Sequence, residues 1–152
     1  MSDTERDPKL SAYALFLYAY SKLNNRLSAV MESPDTVPID VYDVLVTLEY
    51  EPDHRLRLSD LADKIALSRS GLTRRIDRLE KLGYIRREGC PEDKRGSFAV
   101  LTDEGKAARE ASWPRYRDAI QANFGDKMTE GEAKQLAALM RRIVDSLDRS
   151  SA

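Results

Sequence analysis

The side chains that most often run enzymes are scarce in this chain of 152 residues, which holds one histidine, His54, and one cysteine, Cys90. Together they cannot complete a zinc site within one subunit, because such sites need more nitrogen and sulfur ligands. A Ser–His–Asp set would depend on His54 as its sole base. No glycine-rich phosphate loop occurs. The chain is therefore not expected to be an enzyme, and no catalytic residue, metal or cofactor is expected. What it concentrates instead is positive charge. From Arg69 to Arg95 stand nine basic and five acidic residues, a net of +4 in a chain whose total is −1, so the remainder carries −5. A cationic stretch in an otherwise acidic chain suits phosphate contact. The bland alternative is a solvated helix face whose arginines pair along the helix with Asp77 and Glu80.

The elements that must position these charges are readable around them. The stretch Leu58 to Thr102 reads as helix, short turn, helix and then a hairpin with a charged tip. In the second helix Leu72, Ile76, Leu79 and Leu82 recur at helical spacing, while Arg69, Thr73, Arg74, Arg78 and Lys81 make the other face. Such a helix can bury one side in its own domain and lay the other along a major groove. The helix before it has Ser59 as its cap and turns its Leu61, Ala62 and Ile65 inward. The turn Ala66-Leu67-Ser68 allows only a tight helix-turn-helix. Gly83 stops the second helix. Two strands follow, over 84–88 and 97–101, joined by a loop rich in turn residues from Gly89 to Gly96.

The run LADKIALSRSGLTRRIDRLEKLGYIRRE…PEDKRGSFAVLT resembles the winged helix-turn-helix of MarR-type transcription regulators. Asp93-x-Arg95, followed by a strand ending in Leu101-Thr102, matches the D-x-R…L-T wing pattern of that family. Ser68-Arg69-Ser70-Gly71-Leu72-Thr73-Arg74 resembles its recognition-helix start, with Gly71 as a departure. The expected partner is therefore double-stranded DNA. Thr73 and Arg74 are expected at base edges, where an arginine can hold guanine by two hydrogen bonds. Ser68, Arg69 and Ser70 are expected on phosphates at the helix start, and Arg78 on a phosphate further along. Lys94 and Arg95 lie at the wing tip, Arg95 reaching for a narrow minor groove. Asp93 is expected to hold the wing by pairing with Arg87, or else to bond its own backbone.

The rest of the chain serves this unit. The fold class is mainly α with a small β wing: a winged helix-turn-helix over 38–102, an N-terminal dimerisation helix in 1–37, and C-terminal dimerisation helices in 103–152. Residues 9–33 read as one long helix, with Tyr13, Phe16, Leu17, Tyr20, Leu23 and Leu27 at spacings of three and four. The next helix takes Asp40 as cap, with Asp43 three residues on. Arg55 to Leu58 alternates as a short strand paired with the wing. Thr102 caps a helix to about Phe124, which Pro114 should kink or break. Thr129 to Glu132 forms a capping box before a last helix carrying Leu136, Leu139, Met140, Ile143 and Leu147. The resemblance implies that the first helix packs on the C-terminal helices of a second subunit. Such a homodimer can read a pseudo-palindromic operator.

A repressor released by a small aromatic or phenolic ligand is the expected function. Tyr20, Tyr42, Tyr50, His54 and Trp113 are candidate ligand residues, because rings with polar tips suit such molecules. Core packing is the competing assignment for them. Two alternatives are a thiol redox switch at Cys90 and a protein-interaction adaptor on the same fold. The acidic start MSDTERDPKL is unlike a signal or transit peptide, and no apolar run is long enough for a bilayer, so no membrane partner is expected. One cysteine excludes an internal disulfide, and with the resemblance it implies a cytoplasmic location.

Overall fold

The computed structural model describes residues 7–65, 69–90 and 93–150. Six helices and three strands follow one another as α1 Pro8–Met31, α2 Ile39–Glu49, β1 Arg55–Arg57, α3 Leu58–Lys64, α4 Arg69–Lys81, β2 Ile85–Cys90, β3 Asp93–Leu101, α5 Asp103–Asn123 and α6 Glu130–Ser150. The chain divides into two compact units: Leu27–Tyr116, and Met1–Arg26 with Arg117–Ala152. The first contains the whole of 38–102 and extends past it on both sides. No helix among the described residues is long and apolar enough to cross a membrane.

The larger unit owes its core to helical and strand periodicity. Val41, Val44, Leu45 and Leu48 of α2, Leu61 and Ala62 of α3, Leu72, Ile76 and Leu79 of α4, and Ile85, Ala99 and Leu101 of the sheet bury together. The three strands form one antiparallel sheet in the order β1-β3-β2. Leu56 stands opposite Ala99, and Ile85 opposite Leu101, which places alternate apolar residues on the core side. The hairpin strands run further toward the tip than the loop residues suggest, because a bulge at Gly89/Cys90 absorbs the irregularity.

Four local expectations are corrected. Asp40 is not the cap of α2: the helix begins at Ile39, and the Pro38 carbonyl accepts from the N–H groups of Val41 and Tyr42. Asp40 lies inside the first turn and pairs with Arg75 of α4 at 3.3 Å. Ser59 likewise sits inside α3, whose cap position is Arg57, and its hydroxyl donates to Asp60 at 3.1 Å. Leu82 follows the last residue of α4 and is exposed. Pro114 does not break α5, which runs on to Asn123. Proline removes one N–H, and the carbonyl it leaves unpaired belongs to Glu110, which is exposed and can be hydrated.

One junction ties α4, the sheet and α5 together. Gly83, at φ +74°, takes the left-handed position that ends α4, with the N–H of Tyr84 donating back to the Leu79 carbonyl at 3.0 Å. The Thr102 hydroxyl donates to the Gly83 carbonyl at 2.6 Å and accepts from the Gly105 N–H at 3.1 Å. Thr102 thus caps α5 as expected and also anchors it to the end of α4. A Cβ on Gly105 would lie 2.1 Å from the Tyr84 carbonyl oxygen, so no side chain fits there. Further along α5, Arg109 Nη2 lies 2.5 Å from both carboxylate oxygens of Glu49, in a largely buried pair joining α5 to α2. Hydrogen bonding to Glu49 raises the Arg109 pKa above its already high ordinary value. The Ser112 hydroxyl accepts from the Val37 N–H at 3.0 Å, which satisfies both groups in the interior.

The smaller unit leaves many of its large apolar residues exposed. Asp7 caps α1 by accepting from the Lys9 N–H at 2.8 Å, with Pro8 in the first turn. Tyr13, Leu17 and Tyr20 of α1 and Leu139, Ile143, Val144 and Leu147 of α6 are all exposed. The expected capping box forms: the Thr129 N–H donates to Glu132 at 2.7 Å and the Glu132 N–H to the Thr129 hydroxyl at 3.3 Å.

Candidate nucleic-acid interface

On α4, Leu72, Ile76 and Leu79 are 3%, 0% and 0% exposed, so one side of the helix is committed to the core. Thr73, Arg74, Arg78 and Lys81 are exposed on the remainder. The register explains this: positions 74, 78 and 81 repeat at four and three residues, out of phase with 72, 76 and 79. Among the described residues Arg74, Arg78 and Lys81 make no ion pair. Arg75, next to the buried arc, turns to Asp40 and is 21% exposed at its side chain. It fastens α4 to α2 rather than facing outward.

Among the described residues, the two acids of α4 do not pair with the helix's own arginines. Arg87 of β2 takes both: its Nη2 lies 2.5 Å from Asp77 and its Nη1 3.1 Å from Glu80, and its backbone N–H donates to Glu80 at 3.3 Å. Arg87 was expected to hold the wing through Asp93; it is bound to Asp77 and Glu80, and the Asp93 side chain lies outside the described residues. Ser68 lies outside them too, as do the side chains of Arg69, Ser70, Lys94, Arg95 and Cys90. Beside the hairpin, Arg55 and Arg57 of β1 stand over the Phe98 ring at 5.1 and 5.5 Å. Glu88 is held by Arg86 at 2.7 Å and by Arg55 at 3.7 Å. The acids of α4 and β2 are therefore already occupied by cations from the sheet.

Four of the five candidate ligand residues, Tyr42, Tyr50, His54 and Trp113, belong to the larger unit, and Tyr20 to the smaller. Tyr42 is 4% exposed and packs edge-on against Tyr116 at 4.8 Å; burial raises its pKa. It is a core residue because it lies on the inward side of α2. Trp113 meets the same Tyr116 ring at 6.4 Å and is half-exposed. Tyr50, just past the end of α2, is 82% exposed. His54 stands on a surface turn at φ +52°, with Nδ1 2.9 Å from the Glu49 carbonyl. Tyr20 belongs to the smaller unit, where a groove of about 650 Å³ is lined by Phe16, Tyr20, Leu23 and Phe124, with Lys22, Arg26 and Lys127 among its other residues.

Sequence reasoning missed two roles. Arg75 was legible in principle, since its position flanks the buried arc. The capture of Asp77 and Glu80 by Arg87 was not, because it joins a helix to a strand across a turn. Among the described residues no cluster of metal-ligating side chains occurs.

Residues 40–97 match the model of the MarR family. The chain is similar to an HTH-type transcriptional regulator of Bacillus cereus, 30% identical over 130 residues, covering 85% of this chain and 84% of the relative. Its fold is similar to that of Sco3205, a MarR family transcriptional regulator from Streptomyces coelicolor crystallised in complex with DNA, at a TM-score of 0.81, with 33% identity over 97% of this chain and 90% of the other. It is also similar to AbsC, a MarR family regulator from the same organism, at a TM-score of 0.80, with 29% identity over 97% of both chains. With its winged helix-turn-helix, its outward arginines on α4 and these relatives, the chain belongs to the MarR family of transcriptional regulators.

Proposed function

We propose that the protein is a repressor that binds a pseudo-palindromic operator as a homodimer, one α4 from each protomer entering the major groove. The observation that carries this is the outward arc of α4: Arg74, Arg78 and Lys81 are exposed and have no acidic partner among the described residues. A helix fits the major groove, and cations without partners release counterions when they meet phosphate. Thr73 and Arg74 take base edges, and Arg78 and Lys81 take phosphates. Ser68, Arg69 and Ser70 extend the contact at the start of α4, and Lys94 and Arg95 extend it from the wing, Arg95 in the minor groove. The similarity to Sco3205, which was crystallised with DNA, supports the same partner here.

The homodimer rests on the apolar side chains that α1 and α6 leave in water, which one copy does not cover. Two protomers then carry two α4 helices to half-sites about 10 base pairs apart. A small aromatic ligand that prefers another spacing of the two helices releases the operator by that preference alone. The Tyr20 groove, with its rings and cations, suits an anionic aromatic molecule. A regulator acting on bacterial promoters works in the cytoplasm.

Selection of bound fragments from random duplex DNA tests the proposal. A pseudo-palindromic consensus with half-sites about one helical turn apart is expected. Absence of any enriched sequence would overturn sequence-specific repression and favour an adaptor.

A further inference from the structure

Asp77 occupies an awkward place. It lies one turn from Thr73 and Arg74 on one side and from Lys81 on the other, inside the face proposed to meet DNA. A carboxylate there repels phosphate and can also capture the cations that phosphate needs. Its helical neighbours were available as partners: Arg74 at i−3 and Lys81 at i+4. Instead Asp77 turns to Arg87, and Glu80 does the same, so that one guanidinium spans both carboxylates with separate nitrogens. The backbone N–H of Arg87 adds a second contact to Glu80. A planar guanidinium has the fork that such bridging needs. Its side chain is about one-third exposed, and it is contributed by a strand rather than by the helix.

We infer that Arg87 is a positioning residue for DNA binding: it masks Asp77 and Glu80, and so leaves Arg74, Arg78 and Lys81 free for the duplex. The inference rests on the DNA-binding role of α4 proposed above. Arg87 is not itself assigned a contact with DNA. Without it, the two carboxylates turn to the nearest cations, which are those of the reading face, and they also add two uncompensated negative charges close to phosphate. The same residue fastens β2, and with it the hairpin, to α4.

The test is a double-mutant cycle on binding to a random-sequence duplex of about 30 base pairs at low salt, long enough for two half-sites. Three variants are compared with the wild type: Arg87→Ala, Asp77→Asn with Glu80→Gln, and all three substitutions together. Masking predicts that Arg87→Ala alone weakens binding about tenfold. It predicts that the neutralised acids bind at least as tightly as wild type when Arg87 is present. The triple variant returns to within about threefold of wild type. Neutralising the acids must therefore gain more in the Arg87→Ala background than in the wild type. Equal gains in both backgrounds would mean that Arg87 grips the duplex directly, and the inference fails. Weakening by Asp77→Asn with Glu80→Gln alone would mean that the pairs only fasten the fold or read bases, and the inference fails again. If Arg87→Ala does not fold, this last variant still decides the matter, because masking forbids it to weaken binding. A wild type that binds no duplex overturns the DNA-binding reading itself, and that result is distinct from the other failures.

Discussion

Helices α4 and α6 are built on the same plan and end in different surroundings. Both carry apolar side chains at spacings of three and four against a strongly charged remainder. In α4 that apolar stripe is sealed: Ile76 and Leu79 are fully buried against α2, α3 and the sheet. In α6 the equivalent stripe is open, with Leu139 47% exposed and Leu147 61% exposed. Helical periodicity specifies a face that wants cover; it does not say whether the cover is in the same chain. The larger unit answers from within; for the exposed stripes of α6 and α1 the cover is the second copy proposed above.

The same kind of damage should therefore have different consequences in the two helices. Ile76→Ala leaves a cavity in a closed core and is expected to destabilise the fold by about 2–5 kcal/mol, read by urea unfolding at any protein concentration. Loss of well under 1 kcal/mol would mean that α4 is not seated as described. Leu147→Asp is expected to leave each protomer folded while costing association about 2 kcal/mol or more, seen as a shift from dimer to monomer in sedimentation. A variant that sediments like the wild type at every concentration would remove α6 from the interface. The smallest effect belongs to the start of α6. The Thr129 N–H, followed by its hydroxyl, holds the Glu132 carboxylate below the usual glutamate range. A lowered pKa means that the contribution is present above the ordinary glutamate value and fades as pH falls through the depressed one. The protection of the Thr129 and Glu132 amides, taken relative to the intrinsic exchange rate at each pH, should fall in that acidic window, and Glu132→Ala should abolish that fall.

What was readable beforehand and what was not follows the range of each interaction. The stripe at 72, 76 and 79, the stop at Gly83 and the box from Thr129 to Glu132 depend on neighbours within a turn or so, and each is found. The cap roles of Asp40 and Ser59 failed by a residue or two, because a backbone carbonyl or an arginine position can start a helix without a side-chain cap. The break at Pro114 failed because one lost hydrogen bond near water is a small cost within a helix of 21 residues. Tyr42 and Tyr50 look alike in sequence, while one faces the core and the other follows the helix end, so their different burial was not legible. The pairing of Arg87 with Asp77 and Glu80 spans 10 and 7 residues across a turn, beyond any periodic pattern.

The salt dependence of duplex binding tests the central claim most directly, compared between wild type and Arg74→Ala with Arg78→Ala. If both side chains meet the duplex, affinity falls and the slope of log affinity against log salt becomes shallower by about 0.9 for each lost phosphate contact. A doubly substituted protein that folds normally and keeps both the affinity and the slope of the wild type would contradict α4 as the DNA-binding face.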